Sequence, residues 1–102
     1  MIARVWTART APARLPRYAE FLRTRVLPHL QALDGYAGAS LFRRDADGEV
    51  EVVVVTRWRS LEAIRGFAGT DVEAAVVEPE AAALLTRYDT RVRHYEIVSE
   101  DA

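Results

Sequence analysis

Polar and apolar residues alternate from Ile2 to Arg9, with β-branched and aromatic side chains at the apolar places, and this period of two predicts a first strand. After Thr10-Ala11-Pro12 the period lengthens. Leu15, Tyr18, Ala19, Leu22, Val26 and Leu30 recur at three- and four-residue spacing, which predicts a helix from about Ala13 to Leu33 with one apolar stripe. Pro16 falls in its first turn, where a missing N–H is harmless. Pro28, inside the pattern, is expected to kink the helix or end it early. Asp34-Gly35 marks a turn, Tyr36 to Arg44 a second strand, and Asp45-Ala46-Asp47-Gly48 a hairpin whose Asp-Gly pair supplies positive φ. Glu49 to Trp58 is the third strand, carrying the run Val52-Val53-Val54-Val55. Ser60 is a good N-cap, with Glu62 at the positive end of a helix expected to stop around Gly69. A further helical piece is expected from Val72 to Tyr88, interrupted near Pro79. Thr90 to Val98 is expected as the last strand and Ser99 to Ala102 as a frayed tail.

The order is β-α-β-β-α-β, without repeat or linker, and residues 1–102 read as one domain. It predicts an α+β, ferredoxin-like βαββαβ fold, a four-stranded antiparallel sheet with its helices on one face. A half-solvated strand should alternate apolar and polar residues, yet the third strand is apolar on both faces. Helices cover only one face of such a sheet. A second copy packed on the other face by a two-fold axis is the commonest way to cover it, so a homodimer through the sheet face is expected.

Composition narrows the chemistry. The absence of cysteine removes disulfides, thiolate nucleophiles and Cys-ligated metals. All 14 basic residues are arginine, so no lysine Schiff base or lysine base is possible. A net charge of −1 gives no reason to expect a nucleic-acid partner. No apolar run approaches the roughly 20 residues that span a bilayer, and nothing resembles a secretory signal, so no membrane partner and a cytoplasmic location are expected. The scattered glycines form no phosphate loop, and no serine sits in a GxSxG elbow.

His94 is the leading candidate for chemistry. It lies mid-strand with Glu96 two residues along on the same face, able to orient the imidazole as a base, a proton shuttle or a ligand. The alternative is a structural histidine hydrogen-bonded in a dimer interface. His29, late in the first helix, reads as a solvent-facing residue interacting with the helix dipole. Two isolated histidines give no dedicated metal site. Trp6 shares a strand face with Arg4, so a large ring and a cation meet there, in a pocket wall or in the core. The other aromatics, Tyr36, Phe42, Trp58, Phe67, Tyr88 and Tyr95, carry the same two readings. Arg4, Arg91 and Arg93 fall on strands that this order makes neighbours, either to bind an anion or to pair with carboxylates.

Trp58-Arg59-Ser60, followed by Leu61-Glu62-Ala63-Ile64-Arg65-Gly66-Phe67-Ala68-Gly69 and by His94-Tyr95-Glu96-Ile97, resembles the closing half of the antibiotic biosynthesis monooxygenase-like (ABM) family. The opening Ile2-Ala3-Arg4-Val5-Trp6, and Asp34-Gly35-Tyr36-Ala37-Gly38 leading into Leu41-Phe42-Arg43-Arg44, fit it as well. The resemblance implies a dimeric α+β barrel and supports His94 as a motif position. It also implies cofactor-independent monooxygenase chemistry on a small aromatic or polyketide-type compound, whose anion reacts with dioxygen. In that scheme His94 transfers the proton, Arg4 pairs with the anion, and Trp6 and Trp58 are pocket walls. The haem-degrading branch relies on an Asn of the first strand and a His in the second helical segment. This chain has no Asn, and its segment offers Phe67 and Val77 instead, so no cofactor is expected. The alternative from another class is a non-catalytic small-molecule-binding or stress-associated homodimer of the same fold.

Overall fold

In a computed structural model, residues 1–101 are described. Strand β1 (Ile2–Thr10) runs antiparallel to β3 (Glu49–Trp58) over its whole length, from Ile2 opposite Trp58 to Thr10 opposite Val50. On its other edge β3 pairs with β2 (Tyr36–Ala46), with an irregularity between Tyr36 and Gly38. The β2–β3 hairpin turns through Asp47 (φ 53°) and Gly48 (φ 79°). Two consecutive positive φ values make the tight turn whose twist suits antiparallel strands. The free edge of β1 takes two short pieces, β4 (Arg87–Tyr88) and β5 (Arg93–Glu96). The sheet order is therefore β2-β3-β1 with β4 and β5 end to end on the outer edge, an open antiparallel α+β arrangement of the ferredoxin-like kind.

The expected last strand, Thr90 to Val98, is thus shortened to β5, and β4 falls at the end of the segment expected to be helical. Between β4 and β5 the backbone turns away from β1 and bonds the segment before it: Ala75 N–H to Thr90 O, and Val92 N–H to Glu73 O. That segment was expected to be helical from Val72 to Tyr88. Only α4 (Pro79–Ala82) is α-helical there, because residues 72 to 75 have their backbone groups drawn into side-chain and strand-like bonds. Residues 70 to 78 form an irregular strap instead, with a turn at residues 72 and 73. The frayed tail is irregular through residue 101, and Ala102 lies outside the described residues.

The first helical layer also differs from its expectation. A 3₁₀ turn (Pro12–Arg14) leads into α1 (Leu15–Phe21), a π-register turn (Leu22–Val26) follows, and α2 (Leu27–Gln31) completes the run. Pro28 does not stop the helix. Proline lacks an N–H and its ring crowds the carbonyl four residues back, and the wider turn just before it accommodates both. Helix α3 (Leu61–Ala68) begins as expected, with Ser60 Oγ accepting from Ala63 N–H at 3.2 Å, and ends at Gly69 with φ 84°. Gly35, at φ 87°, seats α3 beside the entry to β2; a Cβ there would lie 2.5 Å from Ala63 Cβ.

All helices lie on one face of the sheet. Val50, Val52, Val54, Thr56 and Trp58 of β3 point toward them and are buried, and Trp58, Leu30 and Ile64 form one fully enclosed cluster. The alternate residues of β3, Val53 and Val55, are half-buried, and Val5 lies beside them on β1. On this outer face Phe42 is 54% exposed and Tyr95 51%, and no described helix lies above them. No described helix is long and apolar enough to cross a membrane.

A candidate ligand site between sheet and helices

Period-two alternation puts Arg4, Trp6 and Ala8 on the helix-facing side of β1, and antiparallel register sets Arg4 opposite Thr56 and Trp6 opposite Val54. Above these two rungs the first helical layer leaves a cavity of about 100 Å³. Its walls are largely apolar: Trp6, Phe21, Leu22, Val26, Val54 and Phe67. Strap residues Val76 and Val77 close one side, while Arg25, His29 and Glu78 also contribute to the lining. The π-register turn is part of this wall, since Leu22, Arg25 and Val26 belong to it.

Trp6 is held in place by its indole N–H, which donates to Asp89 O at 2.8 Å. Its ring lies between Tyr18 and Tyr88, with centroids 6.4 and 6.3 Å away. Tyr18 is only 4% exposed as a residue and lines the cavity, and its hydroxyl, which no described residue bonds, is not sealed from access. Burial raises the phenol above its ordinary value, so Tyr18 stays protonated and acts as a donor.

Arg4 is 5% exposed. Its guanidinium donates to Val72 O at 2.6 Å and Ala74 O at 2.7 Å, tying the strap to the sheet, and stands 5.7 Å from the Phe67 ring centroid. Nη1 also lies 3.0 Å from Nε2 of His94. An arginine has no lone pair to offer, so Nε2 must be the acceptor and the imidazole proton sits on Nδ1. Burial lowers Arg4 to about 10, which leaves it cationic at neutral pH. His94 is lowered from its ordinary value by burial first and by Arg4 second, with Glu73 opposing, so the ring is neutral near pH 7.

The sequence-derived candidates therefore separate. Arg4 and Trp6 meet at the cavity. His94 sits behind Arg4 and does not line it, because its Nε2 is taken up by the guanidinium. The expected partnership with Glu96 gives way to this one: Glu96 is exposed, and no His94–Glu96 bond exists among the described residues. Trp58 is wholly buried and is no wall of the cavity. Its indole N–H donates to Thr56 Oγ1 at 2.8 Å, and its ring stacks on Phe67 at 6.0 Å. Arg91 pairs with Asp71 at 2.7 Å, and Arg93 lies opposite Val5 on the outer face, so neither joins Arg4. His29 is exposed, with its ring 6.4 Å from Phe67.

Tyr18 and Thr56 were not singled out from the sequence as site residues. Tyr18 counted as one member of the apolar helical stripe. Thr56 carried a faint signal, a hydroxyl in the buried register of β3 between Val54 and Trp58. Among the described residues no three His, Asp or Glu side chains converge as a metal site would require.

A sequence model described as antibiotic biosynthesis monooxygenase matches residues 1–79. The chain belongs to this ABM family. No curated protein matches it significantly in sequence. Among solved structures, the ABM chain is similar to a putative antibiotic biosynthesis monooxygenase from Bacillus cereus, with 19% identity, 99% of this chain and 96% of that one covered, and a TM-score of 0.68. It is similar too to the haem degrader MhuD of Mycobacterium tuberculosis, solved with two haems in its active site, at 22% identity, full coverage of both chains and a TM-score of 0.66. A Streptomyces coelicolor monooxygenase from the gene ActVA-Orf6, in complex with nanaomycin D, shares 19% identity over 99% of this chain and 88% of that one, with a TM-score of 0.56. At these identities the likeness establishes the ABM fold.

Proposed function

We propose that this ABM chain is a cofactor-independent monooxygenase-like protein that takes a small aromatic or polyketide-type compound into the cavity between β1, β3 and the first helical layer. One observation carries the reading: Tyr18, a buried residue at the wall of an aromatic-lined cavity, has a hydroxyl that no described residue bonds. A polar group of that kind is retained in an apolar pocket when a ligand satisfies it. Trp6 offers a flat face to a ring, and Arg4 places a buried cation nearby. A phenol or enol bound beside that cation ionises more readily than in water. Its anion can then react with dioxygen, one CH₂ of the substrate becoming C=O and the second oxygen atom leaving as water. In this scheme Arg4 and Trp6 bind the substrate, while His94 and Trp58 hold Arg4 and Thr56.

Haem does not fit these residues. The cavity wall carries no cysteine and no buried histidine that could ligate the iron. Its one imidazole, on His29, is solvent-exposed rather than directed from a buried wall.

A non-catalytic binding protein is the second reading, and one observation favours it: His94 Nε2 is engaged by Arg4, so no buried base faces the cavity. Oxygen uptake and product analysis with a panel of anthrone- and naphthol-type compounds separates the two. Turnover that Tyr18→Phe and Arg4→Met diminish supports the monooxygenase. Binding without oxygen uptake leaves the binding protein, and no binding by any member removes both.

A second copy of the chain covers the outer sheet face in this proposal. Half-buried Val5, Val53 and Val55 and exposed Phe42 and Tyr95 form an apolar centre, bordered by Arg9, Arg44 and Glu51 at one end. Sedimentation velocity at micromolar concentration tests it, a monomer at all concentrations being the contrary result.

A further inference from the structure

Three polar side chains on the cavity, each more than nine-tenths buried, have donors left over. Tyr18 has an O–H with no partner. Thr56 Oγ1 accepts from Trp58 Nε1 at 2.8 Å, so its own proton cannot point toward Trp58, and no other described acceptor takes it. Arg4 uses three of the five N–H groups of a guanidinium, on Val72 O, Ala74 O and His94 Nε2. Arg4 and Thr56 are opposite each other on one rung, and Trp6, packed against Tyr18, is on the next rung of the same face. No carboxylate competes there, since Glu78 is an exposed strap residue and the sheet wall contributes none.

We infer that Arg4 and Thr56 at the sheet wall of the cavity, with Tyr18 on the helical wall, form an oxygen-binding subsite, selective for ligands that carry a carbonyl or ionised hydroxyl oxygen, with Trp58 as its positioning residue. This rests on the cavity being the ligand site. An unfilled donor in an apolar cavity disfavours a ligand that cannot accept from it, so selectivity arises as much from rejection of hydrocarbons as from affinity for oxygen. Trp58 contributes through orientation: by occupying one lone pair of Thr56 Oγ1 it leaves the hydroxyl proton for the ligand. Its own ring touches Phe67 and Tyr36, not the cavity.

The test compares two probes of nearly equal shape, 1-naphthol and 1-methylnaphthalene, by equilibrium dialysis against the whole protein. The expected result is roughly ten-fold tighter binding of 1-naphthol. Tyr18→Phe and Thr56→Val should each shrink that preference, by weakening 1-naphthol and tightening 1-methylnaphthalene. Thr56→Ser, which keeps the hydroxyl, should restore it. Trp58→Phe should reduce the preference in wild type and have no further effect on it in the Thr56→Val background, a pattern a purely structural role would not produce. If Trp58→Phe does not fold, the Thr56→Ser and Thr56→Val pair still decides the subsite. Equal binding of the two probes overturns the subsite and leaves the cavity reading standing. Binding of neither probe overturns both.

Discussion

Arg4 Nη1 lies 3.0 Å from His94 Nε2, so the buried cation of β1 and the histidine of β5 form a hydrogen-bonded pair in which the imidazole must be neutral. Two consequences follow from the cation and its acceptor, and two others from the outer sheet face and the packing of α3.

Protonating His94 removes the acceptor and sets a second positive charge against Arg4, with only Glu73 to offset it. The folded imidazole is therefore depressed below the ordinary value of 6.5 at which the unfolded chain titrates. Between those two values the unfolded chain binds a proton that the folded chain refuses. Stability is complete above about pH 6.5 and declines as pH falls through that value toward the depressed one. Urea denaturation between pH 8 and pH 5 checks this, and His94→Gln, an acceptor that does not titrate, should flatten the profile above the carboxylate range. Proton NMR titration of the His94 ring should give a midpoint below that of a histidine peptide.

Arg4→Met should loosen the strap. The carbonyls of Val72 and Ala74 lose their donor, at about 1–3 kcal/mol for each that remains buried and unpaired. Faster amide hydrogen exchange at Ala75 and Val92, whose bonds tie the strap to the 90–92 segment, is the expected local signature. Unchanged exchange there would show that the strap holds without Arg4.

Replacing Val55 by Asp places a charge at the centre of the outer sheet face without touching the cavity, since alternate residues of β3 point to opposite faces. If a second copy packs there, sedimentation should shift from dimer to monomer while far-UV circular dichroism remains native. The same experiment on Phe42→Glu, at a position already 54% exposed, should agree.

Gly35→Ala should destabilise the junction of β2 and α3. A non-glycine residue in the left-handed region costs roughly 1–2 kcal/mol, and the new Cβ would meet Ala63 Cβ at 2.5 Å as well. Chemical denaturation should show the loss. A neutral outcome would mean that α3 shifts freely against the sheet.

Element types were legible wherever a period governed a long segment. Alternation in β1 and β3, the Asp47-Gly48 turn and the Ser60 cap each depend on a few neighbouring residues, and each is found where the sequence places it. The α+β class and its antiparallel sheet follow from their order. Less was legible in the 70–92 region, where a helix was expected and a strap, the short α4 and the edge strand β4 are found. There the backbone groups are claimed by partners distant in sequence, Arg4 for Val72 and Ala74 and Thr90 for Ala75, and no local propensity encodes such claims.

The candidate site divides in the same way. The sequence by itself determined that Arg4 and Trp6 share a strand face, because a period of two is a property of the strand alone. Only the tertiary structure decided that His94 turns its lone pair to Arg4 and that Tyr18 brings an unpaired hydroxyl to the cavity. Those placements depend on the register between β1, β3 and β5 and on how the first helical layer sits over the sheet. Hydrogen-bond partners separated by 68 to 90 residues are set by packing in three dimensions, which is why the residue types could be read from the chain and their roles could not.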